Sequence, residues 1–401
     1  MSAPLTAATI QSLREQTPGT QTCVHFNHAG SSLPSTGTLQ AIQAHLQREA
    51  TLGPMEAGVA SRALTENART LAARLLNAQP DEIALTSGNS AGWGAAFAAL
   101  APWRPGDRIL VGRHEWGGNL AAMRLHAERA GAVLETIASD ASGCVDPDAL
   151  AAMIDDRVRL IALTWLPANG GLINPAAAIG RVARQHGIPY FVDAAQAVGQ
   201  LPVDVAQVGC DVLSTVGRKA LRGPRGTGLL YVRRGFLEQL TPAYVDTYSA
   251  PLDADGRPVL RADAGRLESA ENSLALRCGL ANALQEALAL GLPSIRATVD
   301  ATAQRLRAEL AAIAGLTVLD QGREKSSLIS FNLDGWAAPD VQRAMAAVGV
   351  TIGSNGVPYT PLDMQARGLT QIARVSVSPL TNDDEIDRLL DALRQLARSR
   401  P

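Results

Sequence analysis

Cysteine is scarce in this chain: four residues in 401, at Cys23, Cys144, Cys210 and Cys278, with no CxxC pair. That spacing excludes a disulfide scaffold and a zinc ribbon, and it suits free thiols in a reducing compartment. Aromatic residues make up only 4%, so Ala, Leu and Val must fill most of the core. Charge is also sparse. Charged residues are 18% and the net charge is −2, with no basic stripe that would suit nucleic acid or an anionic membrane. No apolar run approaches the roughly 18 residues of a membrane span. Residues 1–22 are polar, include an acidic side chain and lack an apolar stretch, unlike a secretory signal. The expectation from these absences is a cytoplasmic, enzyme-sized protein without metal, nucleic-acid or membrane partners.

What is present is an alternation. Between residues 30 and 290, helical periodicity at 36–49, 60–77 and 90–100 accompanies short apolar runs at 82–86, 108–111, 133–136, 160–164, 189–192, 212–215 and 228–232. Seven such runs predict strands buried on both faces, as in a mostly parallel seven-stranded sheet covered by helices: an α/β fold. After Gly291-Leu292-Pro293 the pattern changes. A helix is expected over 294–314, strands at 317–319, 328–332, 350–352 and 373–378, and helices near 339–348 and 383–399. The expected division is an N-terminal segment, 1–29, that joins the smaller unit, a large domain, 30–290, and a small C-terminal α+β domain, 291–401.

Five places hold residues suited to chemistry. Tyr190-Phe-Val-Asp193-Ala-Ala-Gln196 ends a buried strand in a carboxylate, where open parallel sheets bind ligands. The plain alternative is a helix cap. Ser214-Thr-Val-Gly-Arg218-Lys219 puts a lysine directly after an apolar strand and before the glycine-rich turn Gly223-Pro-Arg-Gly226. Such a lysine is ordinarily solvated, but once desolvated its pKa shifts and it serves Schiff-base chemistry. Leu85-Thr-Ser-Gly88-Asn89-Ser90 stands at a strand-to-helix junction. It reads as an anion site, or as simple capping by Ser90. Trp116, in Glu115-Trp-Gly-Gly-Asn119, is either a plate for a flat ring or a core residue. Arg374, inside the apolar strand Ala373-Arg-Val-Ser-Val-Ser378, suits a carboxylate, or else a structural salt bridge. An anion cradle, an aromatic plate, an acid, a lysine and a carboxylate-binding arginine together meet the needs of pyridoxal phosphate catalysis.

Through Val192-Asp-Ala-Ala-Gln-Ala-Val-Gly, Cys210-Asp211, Gly217-Arg-Lys219 and Gly223-Pro-Arg-Gly226-Thr-Gly228, the chain resembles the class V aminotransferase family over nearly its whole length. These are fold-type I pyridoxal-phosphate enzymes that include cysteine desulfurases, kynureninase and isopenicillin N epimerase. The resemblance implies a homodimer, a small amino-acid substrate and a role for each matching residue. Lys219 would be the Schiff-base lysine and the acid–base catalyst. Asp193 would pair with the pyridinium nitrogen, Gln196 with the ring oxygen, and Trp116 would stack on the ring. Asn89 and Ser90 would hold the phosphate. Arg374 would bind the substrate carboxylate, in a pocket lined by Asn27, His28, Ala29 and Gly30. Three departures stand out. Arg218 replaces the usual His and would add charge for the phosphate. Ala168 stands where relatives have Asn, so Asn169 would substitute in the substrate site. The segment Arg266 to Asn272 lacks the usual Gly-Thr pair, so Glu271 or Asn272 would supply the phosphate contact from the second subunit.

The reaction is narrowed by a missing thiol. Aligning Pro361-Leu362 with the family puts Pro358 where desulfurases carry a loop cysteine, and no Cys follows Cys278. A β-lyase needs no such thiol. Gly223-Pro-Arg-Gly226, Glu268, Glu271-Asn272, Thr351-Ile-Gly-Ser-Asn-Gly-Val-Pro and Glu49-Ala-Thr-Leu-Gly53-Pro are most similar to hercynylcysteine sulfoxide lyases of ergothioneine biosynthesis. The expectation is a carbon–sulfur β-lyase that releases pyruvate and ammonia from a cysteine S-conjugate or sulfoxide. The alternatives are an epimerase or aminotransferase of the isopenicillin N epimerase type, and a noncatalytic protein that keeps the fold. Tyr359, Trp93 and residues 53–58 are further candidates for the pocket wall.

Overall fold

The computed structural model describes residues 2–100 and 102–399. Its strands follow from side-chain alternation. In Tyr190–Asp193, Tyr190 and Val192 join one aliphatic cluster and Phe191 joins another, so successive residues feed opposite faces of a sheet. The strands with this pattern form one sheet in the order Ile83–Thr86, Gly228–Val232, Val212–Val216, Tyr190–Asp193, Val158–Thr164, Arg108–Gly112 and Val133–Ile137. Gly228–Val232 runs antiparallel to both neighbours, and the other pairs are parallel. Helices cover the sheet, giving the α/β fold expected from the alternation.

Two differences from expectation have local causes. Val133–Ile137 lies at the sheet edge with a single neighbour, and Val133 is 44% exposed, so it is not buried on both faces. The periodic stretch at 60–77 is one helix, Arg62–Leu76, but a short helix that the periodicity does not announce precedes it. Gly53, at φ 98, ends the helix Thr36–Leu52. Pro54 then starts Pro54–Ala60, and Arg62–Leu76 follows.

A second, antiparallel sheet has the order Gly353–Gly356, Gln371–Ser376, Leu328–Leu333 and Leu316–Val318. Its own apolar cluster takes in the helices Leu292–Ala311, Ala338–Ala347 and Asp383–Arg398. The last of these opens with a capping box between Asn382 and Glu385 and buries Ile386, Leu389, Leu390, Leu393 and Leu396. Val24 and Phe26 belong to the same cluster.

The run at 350–352 divides. Val350–Thr351 pairs in parallel with Val24–His25, and Asn27 bridges Ser376. The N-terminal segment thus runs beside the C-terminal sheet and then passes to the carboxyl ends of interior strands of the large one. Among the described residues, no helix is long and apolar enough to cross a membrane.

Candidate active site

Asp193 is the last residue of its strand, opposite Thr164 on one side and Ser214 on the other. Parallel strands open their carboxyl ends toward ligands, and a cavity of about 620 Å³ lies there. Asp193 is buried and accepts three hydrogen bonds. The Ala195 backbone N–H reaches Oδ1 at 2.9 Å, and the Asn89 and Asn119 side-chain amides each reach Oδ2 at 2.8 Å. Among the described residues no helix follows Asp193 before Val205, so it is not a helix cap but a hydrogen-bonded carboxyl group in the cavity wall.

Lys219 follows the end of the adjacent strand, Val212–Val216, and lines the same cavity. Burial brings its ammonium down to about 7, opposed by the charge of Asp193 and aided by Arg218 and Arg374. A lysine in this state exchanges a proton near neutral pH.

The helix Asn89–Ala99 presents its N-terminus to the cavity. Its cap residue is Gly88 and no side chain caps it, so Ser90 does not cap and the first-turn N–H groups remain open to an anion. Asn89 differs from expectation. Its amide nitrogen is committed to Asp193, while its Oδ1 is enclosed without a partner. Ser90 lines the cavity.

Trp116 also lines the cavity, edge-on to Tyr359 with ring centroids 5.5 Å apart. Its backbone N–H donates to Thr164 Oγ1. The two glycines after it are required by space. A Cβ on Gly118 would stand 2.6 Å from the indole nitrogen, and one on Gly117 would stand 1.9 Å from the Pro358 carbonyl oxygen. The turn Val357–Tyr359 is seated directly on the start of the helix Gly117–Ala130.

Arg374 is buried in Gln371–Ser376. Its guanidinium donates to the Ala168 carbonyl at 2.7 Å and to Asn27 Oδ1 at 3.1 Å, and its Nε has no partner. Burial brings it down to about 10. Among the described residues no carboxylate pairs with it, so the salt-bridge reading of this arginine does not hold. Gly353 lies opposite it in the sheet and leaves it room.

Asn27, Ala29 and Gly30 reach the cavity from the N-terminal segment. Gln196 donates to the Ala29 carbonyl at 3.0 Å, and the Arg218 guanidinium to the Gly30 carbonyl. Burial lowers the Arg218 pKa, and Arg225 adds to the effect.

Two expected site residues are placed elsewhere. His28 is buried against Ser32 and Ser378, in a side cavity of about 20 Å³. Asn169 turns to the small sheet, where its amide meets Gly356 and Asn355, because one step along the turn from Ala168 reverses the side chain. Asn272, expected to serve a second subunit rather than its own, is exposed and hydrogen-bonded to its own loop, in an adjoining cleft that shares Ser87 and Gly226 with the main cavity. Trp93 is core, packed edge-on against Phe191, and residues 53–58 do not line the cavity.

One residue was not singled out by its sequence. Glu115 is fully buried, hydrogen-bonded through Asn119 to the Asp193 site. The only hint was a Glu four residues before an Asn at a helix start.

The model for the family described as aminotransferase class-V matches residues 24–389. A probable cysteine desulfurase from Xylella fastidiosa (strain 9a5c) is 31% identical over 335 residues, 83% of this chain and 80% of its own length. The apo cysteine desulfurase of Thermococcus onnurineus NA1 shares the fold with a TM-score of 0.89 at 22% identity, over 99% of this chain and 100% of that one. The cystine C–S lyase C-DES, in complex with its product cysteine persulfide, is 25% identical with a TM-score of 0.85, over 94% and 99% of the two chains. A mutant of C-DES holds glycine covalently linked to the pyridoxal phosphate cofactor. None of these three proteins is a hercynylcysteine sulfoxide lyase or an isopenicillin N epimerase.

The cavity fits pyridoxal phosphate. It offers an uncapped helix N-terminus for a phosphate, a carboxyl group held by three donors for a ring nitrogen, a desolvated lysine for an aldehyde, and an indole beside them.

Proposed function

The chain belongs to the aminotransferase class-V family, and from that premise we propose that it is a carbon–sulfur β-lyase. Its cofactor is pyridoxal phosphate, which supplies an electron sink that acidifies the α-hydrogen of an amino acid. The substrate is a cysteine S-conjugate or sulfoxide of the hercynylcysteine sulfoxide type, and the products are pyruvate and ammonia.

One observation carries this reading: a desolvated lysine stands in a cavity that holds no thiol. Among the described residues no cysteine lines the cavity. Cys144, Cys210 and Cys278 are buried elsewhere, and Pro358 occupies the turn beside Trp116. Transfer of sulfur to the protein therefore lacks an acceptor. Elimination needs only a base. Arg374 would bind the substrate carboxylate, and Trp116 would help to hold the cofactor from the cavity wall. Neutral Lys219 Nζ accepts the α-proton, the C–S bond breaks, and the sulfur leaves with its substituent. Water then takes the remaining three-carbon fragment to pyruvate and ammonia.

The desulfurase names of the relatives support a second reading, thiol-dependent removal of sulfur from cysteine. The two differ in the carbon product, alanine in one case and pyruvate in the other. Incubation with cysteine, cystine, S-alkyl cysteines and cysteine sulfoxides, with both products quantified, decides between them. Alanine without pyruvate from every substrate overturns the lyase reading.

The active unit in this reading is a homodimer. Leu52, Met55 and Val59 expose apolar side chains around Gly58, which lies against Leu274, and this strip suits the second copy.

A further inference from the structure

Glu115 is buried to 0% exposure, with no cation among its neighbours in the described residues. Its Oε1 accepts from Asn119 Nδ2 at 2.8 Å, and that same nitrogen donates to Asp193 Oδ2 at 2.8 Å. Two carboxyl groups thus share one amide donor inside the protein. Thr164 adds a hydroxyl. It accepts the Trp116 N–H and so turns its proton toward Glu115. The remaining atoms of the Glu115–Asn119 pair, Oε2 and Oδ1, are both enclosed and both without a partner. As the atoms stand, these two acceptors are unmatched. An unpaired buried charge costs several kcal/mol, so the pair must gain a proton.

The proton goes to Glu115. Asp193 has three N–H donors and lies beside Lys219, whose protonated form it favours. Glu115 is met by the Asn119 amide and by Thr164, and among the described residues no cation forms an ion pair with it. A carboxylic acid at Glu115 supplies the O–H that Oε2 and Asn119 Oδ1 lack, and it removes the repulsion between neighbouring like charges.

We propose that Glu115 is a positioning residue that holds a proton: neutral in the resting protein, it orients Asn119 so that Asp193 keeps the single negative charge of the site. Burial and the charge of Asp193 push Glu115 up to about 8, in agreement with the geometry. The titratable groups that face it are Asp193 and, on the same strand, Tyr190. Above that pH a second negative charge enters the site, disturbs the Asn119 bridge and changes the field at Asp193.

This inference depends on the cofactor reading only for its consequence at Asp193, and the experiment separates the two. Infrared spectra of the full-length protein, with and without added pyridoxal phosphate, are recorded below and above pH 8. Wild type is expected to show a buried carboxylic-acid carbonyl band below pH 8. The band vanishes in Glu115→Gln and persists at a shifted frequency in Glu115→Asp. A wild-type spectrum without the band, or a band that survives in Glu115→Gln, overturns the proposal whether or not cofactor binds. Should Glu115→Gln fail to fold, the shift or absence of shift in Glu115→Asp decides. In the loaded protein, the pH titration of cofactor absorbance gains a step near pH 8 that Glu115→Gln lacks, whereas the step from Lys219 remains in both. Identical titrations in the two proteins also overturn it.

Discussion

Gly353 lies directly across the antiparallel ladder from Arg374, and a Cβ at that glycine would stand 3.3 Å from both Nε and Nη2 of the guanidinium. The absence of a side chain on one strand therefore fixes the position of the charge on the next. A charge-assisted hydrogen bond contributes about 1.5–3 kcal/mol. Arg374→Ala is expected to raise the KM for an amino-acid substrate about 10- to 100-fold. Gly353→Ala should raise it several-fold with a smaller change in kcat. Steady-state kinetics of both variants check the pair, and an unchanged KM in Arg374→Ala would remove this residue from the substrate site.

Lys219→Ala is expected to lose all turnover while the fold persists, as measured by product formation and circular dichroism. Retained steady-state activity would defeat the catalytic assignment of this lysine.

The same lysine has a thermodynamic signature in the cofactor-free protein. Its pKa is about 7 when folded, against an ordinary value of 10.5. Between those values the unfolded chain binds the extra proton, so the contribution of Lys219 to stability rises with pH across that window and is most unfavourable below it. Lys219→Met should stabilise the cofactor-free protein most below pH 7, with the gain fading as pH rises toward 10.5. Denaturant titrations at several pH values check the sign.

Asp193→Asn puts an NH₂ group among donors that already point at the site. The three bonds to Asp193 are not all satisfiable by an amide, and the carboxylate is lost. A fall in kcat of about 10²-fold or more is expected, together with a shift in cofactor absorbance. A kcat within a few-fold of wild type would argue against the ring-nitrogen role.

Gly117→Ala forces the turn Val357–Tyr359 off the helix beneath it, since the new Cβ would meet the Pro358 carbonyl oxygen at 1.9 Å. Overpacking of this kind costs about 1–3 kcal/mol. The expected result is a lower Tm with displaced Tyr359, detectable by calorimetry and by ring-specific fluorescence quenching of the adjacent Trp116.

The residues that were legible before the fold was known share a property: each contradicts its surroundings. Asp193 ends an apolar strand, Lys219 follows one, and Arg374 interrupts one, so polarity in an apolar context marked them. Gly353–Gly356 was not legible as a strand, because Gly-Ser-Asn-Gly carries no β-forming side chains and pairs only through its backbone with Gln371–Ser376. The edge position of Val133–Ile137 was hidden because neighbours in a parallel sheet come from distant sequence. Asn169 was placed in the substrate site from its proximity to Ala168. The direction of a side chain in a turn changes with each residue, and composition does not encode it. Glu115 lay inside a recognised motif but beside the more conspicuous Trp116, and its burial depends on Asp193, far along the chain.

The threading of the N-terminal segment bears on how the protein is made. Val24–His25 pairs with Val350–Thr351, the Ser376 N–H donates to the Phe26 carbonyl, and the next residues, Ala29 and Gly30, close the cavity against Gln196 and Arg218. Contacts this far apart in sequence form late, since the loop between them must close first. Residues 24–30 thus wait for partners at 350–376, which are made much later. The lysine, the acid and the helix N-terminus belong to a sheet complete by Val232, yet their pocket gains its final wall only when the residues through Ser376 have emerged. A finished site for the cofactor therefore requires the segment through Ser376 as well as the large sheet.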